Sequence, residues 1–262
     1  MSSVLLPSVA GMFYPEQAGE LKQQVDGLLA EAGIPDEPPP KALIAPHAGY
    51  IYSGPVAASA YRRLLPVANT IRRVVILAPA HRVPFRGLAT TSADYLRTPL
   101  GDIPVDRQAV AAALALPEVQ EYDRAFEGEH ALEVQLPFLQ RTLNAFNIVP
   151  FIVGQASPEA VSKVLDLLWD GDETLIVISS DLSHFLDYFS AQEKDLHTSQ
   201  AIESLQPEAI DFDDACGRIP VSGLLLSARE HGLHAKNVDL RNSGDTAGDR
   251  RRVVGYGAYV FN

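Results

Sequence analysis

The chain of 262 residues has a single cysteine, Cys216, which rules out an internal disulfide and a tetrathiolate zinc site. One thiol suits a reducing compartment, so a cytoplasmic protein is expected. Long apolar runs are also missing. None approaches the roughly 18 residues that a membrane span needs. The opening Met1-Ser2-Ser3-Val4-Leu5-Leu6-Pro7 has neither the basic stretch nor the apolar core of a secretion signal. Basic charge is scarce: 21 Lys and Arg stand against 33 Asp and Glu, for a net charge of −12. Such a field repels phosphate backbones and anionic lipid heads, so neither nucleic acid nor a membrane is an expected partner. The sequence contains no Gly-x-Ser-x-Gly elbow, no Walker loop, no Gly-x-Gly-x-x-Gly after a first strand and no His-Glu-x-x-His. The common hydrolase, nucleotide and zinc-protease signatures are thereby excluded.

What is present is an ordinary core, with 47% hydrophobic residues, arranged in alternating patterns. Leu21, Val25, Leu28 and Leu29 recur at helical steps over 17–32, and the helix stops at Gly33. A loop is expected at 35–40. Ala42-Leu43-Ile44-Ala45 is a short apolar run closed by Pro46-His47-Ala48-Gly49-Tyr50, the pattern of a buried strand ending in a turn. A helix over 55–65 follows, then a strand over 72–78 with His81 four residues past Leu77. Leu132, Leu136, Leu139 and Leu143 keep a helical period behind Glu129-His130, with Pro137 tolerated in a first turn or a kink. Further strands are expected at 148–153, 174–178, 235–240 and 252–261. Helices are expected from Ser157-Pro158 to about Trp169, over 191–205 and over 221–231. Strands alternating with helices and carrying continuous apolar runs predict an α/β fold. The expected form is a single domain over 1–262, with a central mostly parallel or mixed sheet and helices on both faces.

Three histidines, His47, His81 and His184, each fall a few residues past the carboxyl end of an apolar strand. Ligand sites in open α/β sheets sit at those ends, so parallel neighbouring strands would aim all three imidazoles into one crevice. Neutral imidazoles gathered there suit a divalent metal or acid-base work. An anionic third ligand is needed, and Asp245, in the polar loop Arg241-Asn242-Ser243-Gly244-Asp245-Thr246, is the first candidate. Asp181 stands three residues before His184 and either orients an imidazole or caps the turn. Glu129 and Glu133 suit the dipole at the start of a helix near Ala131. His130 beside them stays open between ligand and surface residue. His197, His231 and His234 are expected at the surface. Cys216 lies beside Asp213 and Asp214, which raise a thiol pKa and blunt it, and is expected to be structural.

Five motifs in order, Pro46-His47-Ala48-Gly49-Tyr50, Ala78-Pro79-Ala80-His81, Gly128-Glu129-His130-Ala131-Leu132-Glu133, Ser179-Ser180-Asp181-Leu182-Ser183-His184 and Asn242-Ser243-Gly244-Asp245, resemble the Memo family. The resemblance opens at Pro7-Ser8-Val9-Ala10-Gly11-Met12-Phe13-Tyr14-Pro15 and closes at Val254-Gly255-Tyr256-Gly257-Ala258. The family is also called AmmeMemoRadiSam system protein B, after companions resembling the AMMECR protein and a radical SAM enzyme. It is similar in fold to the class III extradiol dioxygenases, which hold non-haem Fe(II). The resemblance implies His47 and His81 as metal ligands and His184, assisted by Asp181, as the acid-base residue. A further ligand position in animal relatives, a cysteine there, falls here on Asp245 or Thr246. Tyr50, His130, Glu133 and Thr246 are further pocket candidates. Two imidazoles with a carboxylate leave open positions on Fe(II), whereas a thiolate favours copper or zinc. Three functions follow as expectations. The first is metal-dependent redox or dioxygenase-like chemistry on a small organic molecule or a partner-bound residue. The others are metal-assisted hydrolysis and non-enzymatic peptide binding, as the signalling role of animal relatives suggests.

Overall fold

The computed structural model describes residues 2–33 and 38–262, so residues 35–37 of the loop expected at 35–40 lie outside the described residues. In chain order the strands are β1 (Val4–Leu5), β2 (Ala42–Ala45), β3 (Arg73–Pro79), β4 (Leu88–Thr90), β5 (Tyr95–Thr98), β6 (Gly101–Pro104), β7 (Val119–Glu121), β8 (Asn147–Val153), β9 (Thr174–Ser179), β10 (His184–Leu186), β11 (Ala235–Asn242) and β12 (Val253–Phe261). The helices are α1 (Ala18–Glu31), α2 (Tyr50–Tyr61), α3 (Arg107–Ala113), α4 (Leu136–Thr142), α5 (Pro158–Leu167), α6 (Tyr188–Glu203) and α7 (Arg218–Glu230).

The continuous apolar runs become the middle of a mixed sheet ordered β10-β12-β2-β9-β3-β8-β4-β7, with β11 also paired to β12. Neighbours β2, β9, β3 and β8 are parallel, while β12 joins β2, and β4 joins β8, in antiparallel fashion. Every residue of β2 and β9 is buried, which requires cover on both faces and explains why these strands have no polar side. Helix α7 packs on β3 and β9 with α5 behind it, while α2 packs on β2, β11 and β12 with α1 and α4 behind it. A smaller sheet, β1-β5-β6, is joined to β8 of the main sheet through a bridge between Val105 and Ile148. Because β2, β9 and β3 run side by side in one direction, the loops after them leave the sheet at the same edge.

The structure departs from the sequence expectations in three places. Helix α2 begins at Tyr50 after Gly49, so Pro55 sits inside the helix and not at its start. Its missing N–H removes the usual helical partner of the Ile51 carbonyl, and Ile51 is exposed, so the loss falls on the solvent side of the helix. The leucine period from 132 to 143 is divided between a 3-10 turn at Glu133–Gln135 and α4, with Pro137 in the first turn of α4. The short elements β1, β4–β7, β10 and α3 carry too few residues for either periodicity to register. Among the described residues no helix is long and apolar enough to cross a membrane.

Candidate metal centre

His47 sits two residues past β2 and is almost completely buried. Its backbone N–H donates to Asp181 Oδ1 at 2.7 Å, tying the loop after β2 to the loop after β9. Its Nδ1 lies 2.9 Å from Ser179 Oγ, the last residue of β9. The direction of that bond follows from the other partners of the hydroxyl. Ser179 Oγ donates its one proton to the Ala131 carbonyl at 2.6 Å and accepts from Gln135 Nε2 at 2.8 Å. It therefore accepts from His47, whose proton is on Nδ1, and the lone pair is on Nε2.

His81 follows β3 and is held in the same manner by a carboxylate. Glu129 Oε1 accepts from His81 Nδ1 at 2.9 Å and from the Ala131 N–H at 3.0 Å, while Oε2 accepts from the His81 N–H at 2.6 Å. Burial opposes the Glu129 charge, but these hydrogen bonds and the His81 ring override it and hold the carboxyl below its usual range. An ionised carboxylate only accepts, so His81 Nδ1 carries a proton and Nε2 is left for other work. Glu129 is therefore not the helix-start acid that its sequence position suggests. The first helical turn in this stretch begins at Glu133, and Glu129 is a buried brace for an imidazole.

Cys216, expected to be structural, is the third member. Its Sγ lies 3.3 Å from His47 Nε2, and the ligand atoms of His47, His81 and Cys216 all fall within 4.8 Å of one another. The loop that carries it is pinned to the loop after β9. The Asp181 N–H donates to Cys216 Sγ at 3.3 Å, and the Gly217 N–H donates to Ser180 Oγ at 3.0 Å. A Cβ on Gly217 would lie 2.6 Å from Ser180 Cβ and 2.8 Å from the Ser179 carbonyl, so only glycine permits this approach. The acids expected to blunt the thiol are turned elsewhere. Asp214 pairs with Lys194 at 2.6 Å and Asp213 is exposed. Burial, followed by the charge of Asp181, is what pushes the thiol up.

His130 completes the cluster, its ring stacked on His81 at 5.0 Å and edge-on to His47 at 5.4 Å. Ligand atoms of His81, Glu129 and His130 form a second close group. His130 Nδ1 is buried, 3.5 Å from Glu129 Oε1 but without a hydrogen bond to it. Burial, then the repulsion that a protonated His81 or His130 would add, hold His47 well below the usual imidazole range. Burial likewise lowers His130. Both rings are therefore neutral, with lone pairs to offer. Asp181 is buried too, with Oδ2 4.0 Å from His47 Nε2, and burial raises its carboxyl.

A cavity of about 790 Å³ opens beside the cluster, and His81, His184 and Cys216 all line it. Four sequence candidates lie in other roles. Asp245, expected as the anionic ligand, has both oxygens engaged away from the cluster: Oδ1 accepts from Tyr188 OH of α6 at 2.5 Å, and Oδ2 accepts from the Asn242 N–H of its own loop at 3.0 Å, closing a capping box. It joins no close group of ligand atoms among the described residues. The Thr246 hydroxyl donates to the Ser243 carbonyl at 3.3 Å. Tyr50 is core, its OH donating to the Val134 carbonyl at 2.7 Å. Glu133 anchors the N-terminal segment by accepting from the Ser8 and Val9 N–H groups and from Tyr14 OH. Gln135, which no sequence pattern marks, braces the site from behind through Ser179 and the Pro46 carbonyl.

A family model described as Memo-like protein matches residues 6–260. The chain is 36% identical over 266 residues to a MEMO1 family protein of Aquifex aeolicus, covering 97% of this chain and 98% of the relative. It is 34% identical over 278 residues to a MEMO1 family protein of Ignicoccus hospitalis, covering 97% of each. A crystal structure of the uncharacterized protein JW3007 from Escherichia coli K12 superimposes with a TM-score of 0.52 over 84% of this chain and 98% of that one, at 13% identity, a likeness of fold alone. Matched along almost all of its length by model and relatives alike, the chain belongs to the Memo-like family.

Proposed function

We propose that this chain is a metal-dependent enzyme that holds one transition-metal ion between His47 Nε2, His81 Nε2 and Cys216 Sγ and performs redox chemistry on a small organic substrate in the adjoining cavity. The observation that carries the reading is the way the donors are presented. Ser179 and Glu129 each accept a hydrogen bond from the Nδ1–H of one imidazole, which fixes the tautomer and frees the opposite nitrogen, the usual support of a ligating histidine. At tetrahedral angles a nitrogen at about 2.1 Å and a sulfur at about 2.3 Å from one ion sit about 3.6 Å apart, near the 3.3 Å between His47 Nε2 and Cys216 Sγ. The buried and unpartnered His130 Nδ1 adds a polar atom that protein alone leaves unsatisfied. Two imidazoles and a thiolate suit copper, zinc or iron and not magnesium or calcium. With Cys216 in the place foreseen for Asp245, copper stands beside iron as the expected ion. Either metal, once bound, supplies redox chemistry.

The protein residues divide the remaining work. His184, on the cavity wall, is placed to give or take a substrate proton, and Asp181 holds the His47 backbone. One observation favours metal-assisted hydrolysis as a second reading: the buried Asp181 carboxylate, 4.0 Å from His47 Nε2, would serve as base for a bound water. Elemental analysis after anaerobic purification tests the site, with oxygen uptake measured over a panel of small organic molecules. About one equivalent of iron or copper, lost in His47→Ala and in Cys216→Ala, together with oxygen uptake, is expected. Zinc alone with no uptake would favour hydrolysis. Failure to retain any transition metal after loading would overturn both readings.

A further inference from the structure

The cavity beside the cluster is larger and more apolar than a metal site requires, and its wall carries one cation with nothing to do. Of the described basic side chains that line it, Lys194 is committed to Asp214 at 2.6 Å. The guanidinium of Arg218, by contrast, has no hydrogen bond and no ion pair with any described residue. Arg218 is the first residue of α7, a 13-residue helix without a side-chain cap, so the unneutralised positive end of the helix adds to its charge. It stands two residues from Cys216, and both line the cavity together with His81. In a chain of net charge −12, an unpaired arginine facing a cavity calls for a physical account.

Part of the wall is apolar. Phe185 and Phe212 line the cavity although they are 62% and 80% exposed. Phe185 also has a left-handed backbone, φ 63°, a conformation that strains a bulky residue. Arg252 lies over its ring at 4.9 Å. Strain that keeps a phenyl ring exposed at a cavity rim is a feature of ligand clamps. A volume of about 790 Å³ falls within the range of small-molecule pockets.

We propose that the cavity takes a small molecule with an apolar, ring-sized body and one terminal oxyanion, and that Arg218 is the residue that recognises the oxyanion while Phe185 and Phe212 flank the body. The planar fork of the guanidinium pairs with carboxylate or phosphate through two parallel hydrogen bonds. This inference rests on the reading that the cavity is the substrate site of the metal cluster, but it concerns recognition and is testable without metal.

The test is calorimetric titration of metal-free and zinc-loaded protein with 3-phenylpropanoate, phenyl phosphate and the uncharged 3-phenylpropan-1-ol, repeated on Arg218→Met and Arg218→Lys. The wild-type protein is expected to bind at least one of the two anions more tightly than the alcohol, and the preferred anion identifies the oxyanion. Arg218→Met should weaken that anion by roughly 10- to 100-fold, the range for a charge-assisted bond, and leave the alcohol unchanged. Arg218→Lys keeps the charge without the fork and should fall between, which keeps the proposal testable should the methionine variant not fold. Equal binding of anion and alcohol, or an anion affinity indifferent to both substitutions, would overturn it. Zinc binding by a protein that ignores all three probes defeats this inference alone, and anion binding by a protein that holds no metal defeats the metal reading alone.

Discussion

Ser179→Ala removes one oxygen that three buried groups share, and its cost can be worked from the partners left behind. The Ala131 carbonyl loses its donor and His47 Nδ1–H loses its acceptor, whereas Gln135 Nε2 keeps the Pro46 carbonyl at 3.0 Å. Each neutral buried group left unsatisfied costs about 1–3 kcal/mol, so the variant should lose roughly 2–6 kcal/mol. The space vacated by one hydroxyl is too small for a water to repair the loss. A second effect falls on the metal. With no acceptor at Nδ1, His47 is free to carry its proton on Nε2, and affinity should drop about 10- to 100-fold. Urea denaturation with a matched refolding curve measures the first effect, and zinc competition against a chromophoric chelator measures the second. A variant whose stability stays within about 1 kcal/mol of wild type and whose affinity stays within about threefold would refute the hydrogen-bond directions assigned here.

Glu129→Gln replaces one acceptor oxygen with an NH₂ that must face an N–H of His81 or Ala131, and zinc affinity should fall roughly 10- to 100-fold in the same competition titration. Asp195, raised to about 6 by burial against the Ser183 N–H that favours its charge, should make stability pH-dependent. Because the folded value lies above the unfolded one, its contribution is complete below about pH 4 and is lost as pH rises through about 6. Asp195→Asn should therefore flatten denaturation midpoints across that window and stabilise the protein at pH 7 by up to about 3 kcal/mol, and an unchanged slope would speak against the burial effect. His184→Ala should retain metal where His81→Ala loses it, and with a substrate in hand should slow turnover by about 10²- to 10⁴-fold; equal metal loss in both would make His184 a ligand.

The strands that carry the site were legible because burial on both faces leaves unbroken apolar runs, as in β2, β3 and β9. The placement of His47, His81 and His184 just past their ends was legible for the same reason. Partners set by topology were not. Cys216 reaches the cluster because α7 packs on β3 and β9, a contact between residues far apart in sequence. Its acidic sequence neighbours say nothing about Asp181, the charge that it meets in space. Asp245 had the right composition and the right sort of loop, but other partners occupy both of its oxygens: one closes a capping box with a residue three positions away, and the other accepts from Tyr188 OH on α6. Glu129 was misjudged through an error of helix onset, since its backbone precedes the first helical turn by several residues and leaves the carboxylate free to face His81.

X-ray absorption at the metal edge of the loaded protein bears most directly on the central claim, that His47, His81 and Cys216 hold one ion together. The account predicts one sulfur scatterer at about 2.3 Å with at least two imidazole nitrogens at about 2.0–2.1 Å, and loss of the sulfur shell in Cys216→Ser. A shell of nitrogen and oxygen alone in the wild-type protein, unchanged by Cys216→Ser, would contradict it.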